Sequence, residues 1–104
     1  METPAKPKTI QELISSEKLV LADFYTEWCG PCKMMKPILE EVAGEVGNRA
    51  KIIKIDVDKN SQAASRYLIT GVPTLILFRN GQPVWRQSGV VPATTLKRVI
   101  EANQ

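Results

Sequence analysis

The chain has no histidine, only two cysteines, and no run of charge of one sign. Each absence closes off a class of function. Without histidine there is no imidazole base, and the four ligands of a zinc site cannot be assembled from cysteine and histidine in one copy. The 14 basic and 11 acidic side chains are scattered, giving a net charge of +3. No basic stretch is interleaved with aromatics, so no nucleic-acid footprint is present. Long apolar runs are missing too. Met1-Glu2-Thr3-Pro4-Ala5-Lys6-Pro7-Lys8 is polar and proline-bearing, unlike a signal peptide, and nothing later reaches membrane-spanning length. The expectation is a cytoplasmic protein with no membrane partner, in a compartment that keeps thiols reduced.

What is present suits one ordinary globular domain. Of 104 residues, 43% are apolar and 24% charged, enough for a single core without staples. No internal repeat, linker or cofactor-binding motif interrupts it. Residues 1–8 read as a loose arm or stub strand, residues 9–104 as the domain, and the chain as a monomer.

Hydrophobic spacing divides the domain into strands alternating with helices. Thr9 and Glu12 form a capping-box pattern for a helix running to about Ser16. Residues 19–25 are a short apolar run and predict a buried strand. Met35, Ile38, Leu39, Val42 and Val46 recur at helical spacing, predicting a helix over 32–46 with a kink at Pro37 and a stop at Gly47-Asn48. A strand over 51–57 follows, then a helix to about Tyr67. Residues 72–78 predict an apolar strand, and Asn80-Gly81 a hairpin to a strand at 84–87. Pro83 puts that strand at an edge, and Trp85 on it reads as packing. A helix over 93–102 closes the chain with Leu96, Val99 and Ile100 inward. This order predicts an α/β fold: a central mixed sheet of four to five strands with helices on both faces.

The two cysteines fall in the first strand-to-helix turn, as Trp28-Cys29-Gly30-Pro31-Cys32. At a helix N-terminus, unpaired N–H groups and the helix dipole favour an anion, and a thiolate is one. Pro31 is tolerated there because the N–H it lacks would have no intrahelical partner. Cys29 should stand outermost and attack; Cys32, one turn inward, should be the shielded resolving thiol. A structural disulfide or a metal shared between two chains are the alternatives, but a bridge closing so small a loop constrains little of the unfolded chain. Asp23 interrupts the apolar strand six residues earlier. If buried beneath the helix, its carboxyl should have a raised pKa, tend to be protonated near neutrality, and accept the Cys32 proton directly or through water. An outward-facing surface aspartate is the alternative.

The pentapeptide, with Asp23, Lys54, Gly71-Val72-Pro73-Thr74 and Gly89 at their spacings, resembles the thioredoxin family from about Thr9 to the C-terminus. The resemblance implies the thioredoxin fold and a redox-active Cys29–Cys32 disulfide. By it, Lys54 pairs with and tunes Asp23, and Val72-Pro73 is a cis-proline loop packed on the dithiol. Trp28, Gly30, Pro31, Gly71, Val72, Pro73 and Gly89 would form the substrate-binding surface. The partners implied are disulfide-bearing client proteins and a flavin-dependent thioredoxin reductase fed by NADPH. No cofactor or metal is expected on the chain itself. Strong oxidants and isomerases of this fold commonly carry a histidine between the cysteines, whereas Gly30-Pro31 adds no charge. The reading is therefore a protein-disulfide reductase. An oxidant or isomerase, or a non-catalytic binding subunit, are the alternatives.

Overall fold

A computed structural model describes residues 9–104; the arm or stub strand expected at 1–8 lies outside the described residues. The elements follow in the order α1 (Ile10–Ile14), β1 (Leu19–Tyr25), α2 (Gly30–Val46), a 3-10 turn at Gly47–Arg49, β2 (Lys51–Asp56), α3 (Ser61–Arg66), β3 (Thr74–Arg79), β4 (Gln82–Ser88) and α4 (Ala93–Ala102). Among the described residues they build one four-stranded sheet in the order β2-β1-β3-β4. The central strand β1 pairs parallel with β2 and antiparallel with β3. Covered on both faces, it reads as a nearly unbroken apolar run, which is why its bounds match the prediction.

Strand alternation sorts the core into two clusters. Leu19 and Leu21 of β1, with Leu75 and Leu77 of β3, pack against Met35, Leu39 and Val42 of α2 and Leu96 and Ile100 of α4. Val20, Ala22 and Phe24, with Ile76 and Phe78, face Ile14 of α1 and the residues Tyr67 and Ile69 that follow α3. The odd positions of β1 therefore lie under α2 and α4, the even ones against α1 and α3. Asp23 is odd, so it lies on the α2 face. The two helices on that face are clasped at the surface by Lys97 Nζ, 3.3 Å from Glu41 and 2.9 Å from Glu45.

Where bounds differ from the sequence reading, local chemistry explains it. Helix α1 ends at Ile14, two residues early, and the structure forms the Thr9 half of the box, its Oγ1 accepting from Glu12 N at 3.1 Å. Helix α2 begins at Gly30 because Cys29 is itself the cap. Strand β3 begins at Thr74 and not at 72, since Pro73 has no N–H to give a ladder. Asn80 and Gly81 both have positive φ, 52° and 81°, the geometry that a two-residue hairpin loop demands. Strand β4 is longer than predicted and holds the sheet edge. It carries Pro83 and a bulge at Val84, where Leu77 pairs with Trp85 but Phe78 with Pro83. Trp85 leans on the α2–α4 cluster, as its packing role required. Of the adjacent methionines in α2, Met35 is fully buried and Met34 is exposed.

Candidate active site

The sulfurs sit where β1 gives way to α2. Cys29 has extended backbone (φ −91°, ψ 113°), and its Sγ accepts from Cys32 N at 3.2 Å, the bond that a serine or aspartate N-cap would make. Cys29 and Cys32 are joined in a disulfide with Cα atoms 5.3 Å apart. In this state both residues are largely covered, at 6% and 4% exposure, so Cys29 is only marginally the outer of the two. The expected contrast between an open and a shielded sulfur is small while they are bonded.

The loop before β3 forms the opposite wall. The Val72–Pro73 peptide is cis, and Val72 O lies 3.7 Å from Cys29 Sγ. Gly89 N donates to Pro73 O at 2.8 Å, and Gly89 has φ 89°, which a side chain would strain. Thr74 Oγ1 donates to Gly71 O at 2.6 Å. A Cβ at Gly30, Gly71 or Gly89 would meet no atom within 4 Å, so the surface around the sulfurs is open at all three. Pro31 occupies the first turn of α2. Trp28 is 75% exposed, its Nε1 donating to Asp58 Oδ2 at 2.9 Å. Asp58 is a member of this surface that the sequence reading missed; an aspartate at a strand end carries no signal beyond turn formation.

Behind the disulfide, Asp23 is fully buried and neither carboxylate oxygen has a partner. Burial raises its pKa from 3.8 to about 6, against the opposing pull of the Lys54 cation. Burial thus moves this carboxyl's titration up toward neutrality, the direction expected from sequence. Lys54 is the β2 residue registered opposite Asp23. It does not form the expected ion pair. It is exposed, with Nζ 4.4 Å from the centre of the Tyr25 ring, and acts on Asp23 only through space. A cavity of about 110 Å³ lies between Lys54 and Cys32, bounded also by Tyr25, Thr26, Glu27 and Lys33. Thr26 Oγ1, buried and without a partner, is a further polar atom at this place.

In front of the disulfide, an apolar groove of about 690 Å³ runs from Trp28 past Val57, Ala64, Leu68 and Ile69 to Val72. Its far wall is the end of α3. There Leu68 N donates to Ser65 O and Ile69 N to Ala64 O, the paired bonds of a Schellman motif. The left-handed residue of that motif is usually glycine; here it is Leu68, with φ 54°, a conformation that costs a side-chain-bearing residue about 1–2 kcal/mol. Arg86 of β4 donates from Nη1 to Tyr67 O (2.7 Å) and from Nη2 to Leu68 O (3.2 Å). Among the described residues, no cluster of three or more acidic, cysteine or histidine side chains could hold a metal.

Comparison with known proteins agrees with this geometry. The family model described as Thioredoxin matches residues 3–102. The chain is 44% identical to the thioredoxin of Bacillus subtilis over 83% of each chain. It is 48% identical to the chloroplastic thioredoxin Y of rice over 86% of its own length, but spans only 54% of that protein. Among solved structures, a mutant thioredoxin from Halobacterium salinarum superposes with a TM-score of 0.82 at 42% identity, covering 90% of this chain and 81% of the other. Oxidised mitochondrial thioredoxin 3 of Saccharomyces cerevisiae gives 0.79 at 33% identity, covering 88% and 85%. With a Cys29–Cys32 disulfide at the start of α2 and relatives of this likeness over most of its length, the chain belongs to the thioredoxin family of thiol–disulfide oxidoreductases.

Proposed function

We propose that the protein works in the reducing direction, as an electron carrier that opens disulfides in client proteins in the cytoplasm. In the reduced form, the Cys29 thiolate attacks one sulfur of a client disulfide; that bond breaks and the other client sulfur leaves as a thiolate, which takes a proton from water. Cys32 then gives its proton to the Asp23 carboxylate, directly or through water, and attacks Cys29 Sγ. The mixed disulfide breaks and the second client thiol is released. Two electrons pass to the client, whose two sulfurs take their protons from the Asp23 carboxyl and from water, and Cys29–Cys32 is left oxidised. A flavin-dependent thioredoxin reductase using NADPH restores the dithiol; neither cofactor needs a site on this chain.

The observation that carries the reading is that Cys29 Sγ is the acceptor for the α2 N-terminus. A backbone N–H aimed at that sulfur stabilises the thiolate over the thiol. Asp23, its pKa raised toward neutrality by burial and its oxygens otherwise unpartnered, is placed to exchange the proton of the second thiol. Val72, Gly71 and Pro73, with Trp28, supply the wall along which an extended client segment docks by backbone pairing. Gly30-Pro31 places no charged group beside the sulfurs, which supports a reductant over a strong oxidant.

The test is insulin reduction followed by turbidity, with NADPH and thioredoxin reductase. The expected result is catalytic turnover that Cys29→Ser abolishes. Stoichiometric reaction without turnover, or a measured potential far above that of the cytosolic thiol pool, would sink the reductant reading.

A further inference from the structure

Leu68 stands where chain geometry favours glycine, and its side chain gains no burial in return. It takes the left-handed position after α3, where a Cβ is unfavourable, yet it remains 74% exposed. A buried leucine would recover that cost through packing; this one does not. The conformation is nevertheless held firmly. Ile69 N and Leu68 N close the Schellman bonds on one side, and Arg86 reaches across from β4 to the Tyr67 and Leu68 carbonyls on the other. Strained backbone that its surroundings maintain tends to gather where function uses it.

The second observation is its position relative to the sulfurs. Leu68 lines the same groove as Trp28, Val57 and Val72, and Val72 O is 3.7 Å from Cys29 Sγ. A client cysteine bonded to Cys29 brings its own backbone beside Val72, so its neighbouring residues pass over this groove. The groove is flanked by two large apolar side chains left in solvent, Trp28 and Leu68. Val57, Ala64 and Ile69 give its wall an apolar stretch, edged by the polar side chains of Thr26, Asp58, Ser61, Ser65 and Thr70.

We propose that Leu68 is a specificity-determining contact, closing over an apolar side chain that lies within about two residues of the client's reactive cysteine. This rests on the client reduction put forward above. The occupant is an extended client segment, because only a chain leaving the mixed disulfide along Val72 is continuous with the groove. Arg86 is the positioning residue that keeps the leucine turned toward it.

The test uses the full chain with NADPH and thioredoxin reductase. Its substrates are two disulfide-linked peptide dimers, with leucine or serine two residues before the cysteine, and hydroxyethyl disulfide, which is too small to reach the groove. The wild type is expected to favour the leucine peptide about ten-fold in kcat/KM, through KM, the size expected from covering half of a leucine side chain. Leu68→Gly should erase that preference while leaving hydroxyethyl disulfide turnover unchanged and the melting temperature unchanged or raised. Leu68→Met, which keeps an apolar side chain in the same conformation, should restore it. An unaltered preference in Leu68→Gly would overturn the proposal. So would an equal loss on all three substrates, since the leucine would then shape the loop and not the contact. If the wild type reduces none of the three, the reductase reading itself fails, and this inference with it.

Discussion

Behind the Cys29–Cys32 bridge, Asp23 is sealed beneath α2 with both oxygens unpartnered, and a cavity of about 110 Å³ lies between Cys32 and Lys54. In front, a groove of about 690 Å³ lies open between Trp28 and Leu68. The rear holds a charge in little space, enough for a few water molecules at roughly 30 Å³ each. The front has apolar surface with no partner within the described protein. The Asp23 proton affinity is set by burial and by a single through-space cation, whereas on the proposed function chain recognition would rest on apolar area and backbone groups. The two tasks meet only at the sulfurs. Rear substitutions should therefore move kcat, its pH profile and stability, while front substitutions should move KM.

The harshest test removes the meeting point. Cys29→Ser should lower turnover by more than ~10³-fold, a hydroxyl being a far weaker nucleophile at neutral pH. Cys32→Ser should also stop turnover but accumulate a mixed disulfide with the client, visible on a non-reducing gel. If Cys32→Ser still turned over, the rear of the site would have no part in the reaction.

Next in size is Asp23→Ala. A carboxyl whose pKa rises from 3.8 to about 6 on folding binds its proton more tightly in the folded state. Its full contribution is present below pH 3.8 and is lost as pH climbs through 6. The loss amounts to about 3 kcal/mol. The alanine variant should therefore be more stable than the wild type by about that much in urea at pH 8, with no advantage at pH 3.5, while its kcat falls. A stability gain that did not change with pH would mean that the charge is not the cause.

On the front, Trp28→Ala should raise KM for insulin about five-fold, in the range of a partly covered aromatic contact, with hydroxyethyl disulfide reduced as before. The smallest effect is expected from Lys54→Met. Losing the cation that holds Asp23 down should move the Asp23 pKa further up, seen as an alkaline shift in the kcat profile, with KM unchanged. A KM effect from Lys54, or a kcat effect from Trp28, would blur the division between front and rear.

The frame of this fold was open to reading because its elements obey single rules. The unbroken apolar run of β1, the 3-4 spacing of α2 and α4 and the Asn80-Gly81 turn each admit one interpretation. Asp23 declared itself as a lone carboxylate in an apolar strand, and the cysteines by their spacing at a predicted helix start. What escaped depends on contacts between distant segments. Period-two alternation on β2 cannot say whether Lys54 reaches a carboxylate or an aromatic ring, and the structure gives it the ring. An arginine on an edge strand looks like a solvated charge; only the fold brings Arg86 to the end of α3. Leu68 was the least legible. A leucine after a helix suggests burial, and no residue pattern marks it as left-handed and exposed.

The edge formed by β4 has a consequence for association. Pro83 removes a donor and the Val84 bulge breaks the spacing of the rest, so an incoming strand finds no regular ladder on that side. Extended polypeptides, copies of this chain included, are thereby kept from adding as a further strand along that flank.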